Sequence, residues 1–278
     1  MILNLTSAVQ GTSNVQGTRN QTSSSQIVKL YNKMTLAQCK KIKKIGFGGL
    51  LNIKCDKLPS KLANWLMKDC YDAESSQLVL PGRGVIKVTA EAVQSMMDLP
   101  NQGDEVIYEL DVNAINFIQQ QYKISGSASK ISEIVKRVQT NRRANDDFVR
   151  SWLMLAISTF LCPPTSLGIS PRCYPSIRDL SKVKSLNWCQ FVVDMLKTAG
   201  SKIGKVQSVK GCLLFLVVSS FLVLSLSTFI CTYCAFFYLI PFLFVHLVFF
   251  RSYMWTPWWL TMLTSQQLRL GLQHGQGV

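Results

Sequence analysis

Polar and apolar positions divide the chain into stretches of different character. From residue 1 to about 27 the side chains are almost all Ser, Thr, Gln, Asn and Gly, too few large apolar groups to offset the entropy of ordering, so residues 1–30 are expected to be a disordered polar tail. Order is predicted from Thr35, an N-cap for a short helix that stops at Gly46. Leu62, Trp65, Leu66 and Cys70 recur at helical spacing and predict a helix over 58–70 with a wide buried stripe. Gln77 to Leu80 and Val85 to Val88 are short β-prone runs on either side of Pro81-Gly82-Arg83-Gly84, which reads as a hairpin. Thr89 caps a helix through Val93 and Met97, with Glu91 in its first turn, and Leu99-Pro100 stops it. Further helices are predicted over 112–121, 129–140, 144–160 and 186–199, with Pro163, Pro164, Pro171 and Pro175 in an irregular connection. Trp152, Trp188 and Phe191 are expected in the core. The fold class expected over 35–210 is mainly α with a minor β-hairpin, an α+β domain.

The pattern then changes. Between Lys210 and Arg251 there is no Asp, Glu, Lys or Arg, an interval about twice the ~20 residues that cross a bilayer. Cys212 to Ile230 holds thirteen Leu, Ile, Val or Phe residues, worth about −5 kcal/mol on an insertion scale. Pro241 interrupts the second half. The expectation is a C-terminal hydrophobic transmembrane-type helix or helical hairpin over 211–250, with the lipid bilayer as partner, followed by an aromatic and polar tail over 251–278. Lys197, Lys202, Lys205 and Lys210 precede the run while Arg251 and Arg269 follow it, which places the N-terminal domain in the cytosol. Tyr253, Trp255, Trp258 and Trp259 read as an interfacial belt. A second origin for residues 218–278 is a thymine-rich intron read in frame, because Phe, Leu, Ser, Cys, Tyr and Trp can all be written with codons that begin in thymine; the nucleus is then the expected location.

Charge sharpens this division. The net charge is +15, yet from Asp56 to Asp194 the balance is 16 − 15 = +1. Before Asp56 there are eight basic residues and no acidic ones, with Lys40, Lys41, Lys43 and Lys44 close together. A solvated basic face is the expected reading, and nucleic-acid contact the alternative. Nine scattered cysteines are expected as reduced thiols. Met1 to Gln10 lacks a secretory leader pattern, so the sequons at Asn4 and Asn20 are expected to be unused.

Candidate chemistry is thin. His246 and His274 are the only histidines, the first in the apolar run and the second in the tail, so the globular part holds no His-based triad or zinc site. Cys231-Thr-Tyr-Cys234 has C-x-x-C spacing without a partner pair. Gly46-Phe-Gly48-Gly49 and Gly82-Arg-Gly84 lack the phosphate-cradling frames and read as turns. Asp146 and Asp147, after Arg142 and Arg143, read as a salt-bridged helix start, and Arg172, Arg178, Lys182 and Lys184 form a weak basic stripe. No catalytic, cofactor-binding or metal-binding residue is assigned, and a non-enzyme is expected.

Gly46-Phe-Gly48-Gly49-Leu-Leu, Leu62-Ala-Asn-Trp65-Leu66, Val88-Thr-Ala-Glu-Ala-Val93 leading to Met97-Asp98-Leu99-Pro100, and Phe148-Val-Arg-Ser-Trp152 together resemble the plant mobile domain, also called the aminotransferase-like plant mobile domain. That family occurs in plant transposons and in host proteins similar to the maintenance-of-meristems family. The resemblance spans 36–217 and rests on packing and turn motifs. No lysine matches a pyridoxal-phosphate site, so the aminotransferase activity is not carried over. Relatives often continue into a His/Asp/Cys protease of ubiquitin-like modifiers, and this chain departs from them after Val217. The resemblance implies a non-catalytic module of transposon origin for protein or nucleic-acid contacts, linked to silencing or meristem maintenance. A tail-anchored protein with a cytosolic recruitment domain and a remnant that lost its protease half are the alternatives.

Overall fold

The computed structural model describes residues 21–222, apart from 56, 125, 127, 165–167 and 204–210. The chain divides into two compact units, Met1–Val223 and Leu224–Val278, and the account below is of the first. Order begins earlier than Thr35. Helix α1 (Gln21–Tyr31) buries Ile27 and Leu30 completely, and lies against helix α6 (Ile131–Thr140). Two apolar side chains one turn apart suffice to seat it, which is why a polar composition concealed it.

Helix α2 (Leu36–Lys44) starts at Thr35 in a reciprocal capping box with Gln38 and ends before Gly46, whose φ of +87° turns the chain away. A 3-10 turn (Gly48–Asn52) follows. Helix α3 (Ser60–Trp65) runs into a π-turn (Leu66–Cys70), and the wider turn alters the buried face. Ala63, Leu66, Met67 and Cys70 face inward, while Trp65, expected inside, is 42% exposed. The expected hairpin is present as β2 (Gln77–Leu80) and β3 (Gly84–Lys87), antiparallel with Leu80 opposite Gly84; β1 (Tyr71–Asp72) adds a third strand.

Thr89 caps α4 (Ala90–Met97), which ends at Asp98 in the left-handed region just before Leu99-Pro100. Asp111 caps α5 (Val112–Tyr122), and Asn145 caps α7 (Asp146–Ala156), which continues as a π-turn (Ile157–Leu161). A short α8 (Tyr174–Arg178) and the long α9 (Trp188–Gly200) complete the set. Helix α7 is the central element: from Phe148 to Ala156 every residue except Arg150 is buried. Trp152 and Trp188 are fully buried and Phe191 nearly so. Phe47 joins them edge-on, its ring 6.1 Å from Trp152 and 5.2 Å from Trp188. The described unit is thus mainly helical with a small antiparallel sheet.

The membrane expectation requires correction. Among the described residues no helix is long and apolar enough to cross a bilayer. The described part of the uncharged run is helical over 213–222. It packs on protein: Cys212, Phe215, Leu216, Val217, Ser219 and Ser220 are buried, and Cys212 Sγ lies 3.9 Å from Met97 Sδ on α4. The transmembrane-type helix, the bilayer as a location and the cytosolic placement of the domain that followed from it are therefore withdrawn. Pro241, His246, the C-x-x-C pair Cys231 and Cys234 and the aromatic belt lie outside the described residues.

Candidate functional site

Three glycine contacts shape an open concavity. At Gly49 a Cβ would stand 2.0 Å from the carbonyl oxygen of Met97, so only hydrogen lets the 3-10 turn rest on the end of α4. At Gly46 the same atom would stand 2.7 Å from Pro100 Cγ, and at Gly103 1.8 Å from the Ser185 carbonyl oxygen. The turn after α2, the linker after α4 and the 3-10 turn Val183–Ser185 are drawn together at these points.

Between them lies an open groove of about 690 Å³. Asn52, Gln94, Asn101 and Gln102 contribute amides, Lys43 and Lys184 contribute ammonium groups, and Asp98 is the one carboxylate of its lining. Its walls are held by backbone bonds. Cys189 N–H donates to the Pro100 carbonyl at 3.0 Å, Asp104 N–H to the Ser185 carbonyl at 2.9 Å, and Asn187 N–H to the Asp104 carbonyl at 2.7 Å. Asn101 Nδ2 donates to Gln94 Oε1 at 3.3 Å, which orients two of the amides. Such a wall presents fixed donors and acceptors and no pair of groups built to pass a proton.

Thiols near this region are not poised as nucleophiles. Cys189 donates to the Leu99 carbonyl at 3.3 Å, and burial, with Glu91 and Asp98 adding to it, pushes its pKa up to about 12. Burial also raises Cys212 to about 12 and drives Cys173 higher still. Among the described residues no group of three or more His, Cys, Asp or Glu is placed to hold a metal.

The sequence motifs distribute unevenly. Gly46, Gly48, Lys43 and Lys184 line the groove, whereas Arg172, Arg178 and Lys182, the rest of the weak stripe, do not. Asp179 lies among these last charges, and the Ser181 hydroxyl, its main partner, holds its carboxyl below the usual range, with Lys182 and Arg178 contributing. Asp147 pairs with Arg137 at 2.7 Å and Asp146 with Lys41 at 3.8 Å, and Asn145 caps the helix, so the start of α7 is capped and salt-bridged as expected. The four groove amides carried no signal of their own along the chain; their nearest marker was the glycine cluster, which read only as a turn.

A sequence model of a family described as a domain of unknown function (DUF8566) matches residues 20–217. No curated protein and no solved structure matches the chain.

Proposed function

The chain therefore belongs to the DUF8566 family, and on that premise we propose that its globular part is a non-catalytic interaction module that holds a partner macromolecule in the groove between α2, the end of α4 and the 3-10 turn Val183–Ser185. The observation that carries this reading is the lining itself: four amides and two ammonium groups around a single carboxylate, on walls pinned by backbone bonds. Amides recognise by hydrogen bonding and do not transfer protons, so the site is equipped for affinity and orientation and lacks a general acid–base pair. The resemblance to the plant mobile domain supports the same reading and adds a transposon origin, with silencing or meristem maintenance as the setting, since the motifs that carry it, Gly46-Phe-Gly48-Gly49 and Met97-Asp98-Leu99-Pro100, build this groove.

The test is to fill the groove. Asn101 is half-buried in its wall, and Asn101→Trp would occupy the space without touching α7. Full-length protein and this variant are screened against a peptide array and an oligonucleotide library. Ligands held by the parent chain and released by the variant are the expected result. A variant that retains every ligand of the parent overturns the reading, as does turnover of an amino acid and a keto acid in the presence of pyridoxal phosphate.

A further inference from the structure

The groove is continuous with a basic surface whose parts lie far apart in the sequence. Helix α2 carries Lys40, Lys41, Lys43 and Lys44 within its nine residues. Near its start the buried Gln38 spends its amide on the α6–α7 loop, donating through Nε2 to the Asn141 carbonyl at 2.6 Å and to that of Arg143 at 3.4 Å. Arg142 Nη1 donates to the Lys33 carbonyl at 3.0 Å. These bonds span 103 to 109 residues of chain and bring two arginines beside a lysine-rich helix. Toward the other end of α2, about 8 Å along the axis from Gln38, Lys43 enters the groove lining with Lys184.

This surface carries positive charge with little to neutralise it. Lys40, Lys43, Lys44, Arg142 and Arg143 are exposed. Lys41 has Asp146 at 3.8 Å, and among the described residues no other carboxylate comes within 4 Å of an α2 lysine. No acidic residue occurs before Asp56 to offset α2 locally.

We propose that the α6–α7 loop, α2 and the groove form a track for a single-stranded nucleic acid. Arg142, Arg143, Lys40 and Lys44 meet successive phosphates, and Lys43 and Lys184 flank the amides that receive one splayed nucleotide. The proposal rests on the interaction-module reading and names its partner. Planar guanidinium forks and mobile ammonium groups both suit phosphate oxygens. Asn and Gln amides match the donor and acceptor edges of an unstacked base. The groove's volume lies in the range that encloses a small molecule, which fits one extruded nucleotide and not the rim of a duplex.

Binding of the full-length protein, kept in mild detergent, is measured by fluorescence anisotropy with labelled single-stranded RNA and DNA of about 20 nucleotides, the matching duplex and a polyglutamate peptide. Single strands are expected to bind most tightly, and the RNA and DNA arms show which sugar is preferred. R142E/R143E should weaken binding at least about tenfold and flatten the salt dependence by about 1.4 logarithmic units per decade, the loss of two phosphate contacts on a single strand. Because Arg142 also holds the Lys33 carbonyl, K40E/K44E on exposed positions serves as the second variant with the same expected loss. R83E/K87E on the hairpin, where both side chains are exposed, should bind as the parent does. Equal weakening by R83E/K87E, duplex bound as tightly as single strand, or no oligonucleotide binding at about 50 mM salt overturns the track. Polyglutamate bound in preference to the oligonucleotides also overturns it, while the interaction module itself then survives with an acidic protein segment as partner.

Discussion

One added methyl group separates two kinds of glycine in this chain. Gly82 sits in the hairpin turn at φ +69° with nothing within 4 Å of the Cβ it lacks, whereas at Gly49 that atom would overlap the Met97 carbonyl oxygen. Gly82→Ala should cost about 1 kcal/mol, the strain of a left-handed residue alone. Gly49→Ala must push the 3-10 turn off α4 and should cost about 3 kcal/mol, the upper end of overpacking penalties. Thermal denaturation followed by circular dichroism checks the order; equal effects from the two substitutions would contradict the close approach that shapes the groove. The motif around Gly49 was legible as a turn, because glycine spacing reports backbone freedom. That Phe47 inserts between Trp152 and Trp188 was not, since its partners lie 105 and 141 residues further on and no local pattern points at them.

Elements were readable where their start signals are local. Thr35 and Thr89 cap the helices expected of them, and the alternation around Pro81-Gly82-Arg83-Gly84 folds as a hairpin. The ends were less readable. The π-turn after α3 places Met67 inside and Trp65 outside, because one extra residue per turn shifts the face and leaves no trace in residue type. Pairing between elements was least readable: Asp147 lies close in sequence to Arg142 and Arg143 but binds Arg137. Arg137 reaches both Asp147 oxygens through Nε, at 3.0 and 3.2 Å, and lies 4.2 Å from the Tyr122 ring centroid. The Tyr122 hydroxyl is 3.0 Å from that of Ser151, which donates to the Asp147 carbonyl at 2.7 Å, so one cluster fastens α5, α6 and α7. About a third of each charged side chain is exposed, which limits the effect of Arg137→Ala to about 1–2 kcal/mol from the forked pair and the ring contact together. Arg137→Lys should recover only part of this loss, because an ammonium group cannot make the planar fork. Full recovery by lysine in urea denaturation would show that charge alone, without geometry, sustains the cluster.

At the scale of the whole molecule, composition identified a segment that water does not accommodate, but composition does not distinguish lipid from a protein interior. Both surround Leu, Val and Phe with apolar atoms, and the choice is made by partners distant in sequence. For the start of the run those partners are α4 and α9: Cys212 contacts Met97, and the Gly211 backbone approaches Leu196 and Ala199. Thiol chemistry tests this placement. With its pKa near 12 and its side chain fully buried, Cys212 presents about one thiolate in ten thousand at pH 8 and no access path. In native full-length protein, a charged maleimide should modify the half-buried Cys39 while Cys212, Cys189 and Cys173 remain unmodified by peptide mass mapping. An apolar maleimide should give the same pattern, because a packed protein interior excludes both reagents, whereas a lipid-facing thiol is reached by the apolar one. Denaturant should expose all three together if the 213–222 helix belongs to the cooperative core. Selective modification of Cys212 by the apolar reagent, with Cys173 and Cys189 still protected, would remove that helix from the folded unit and return the start of the run to lipid.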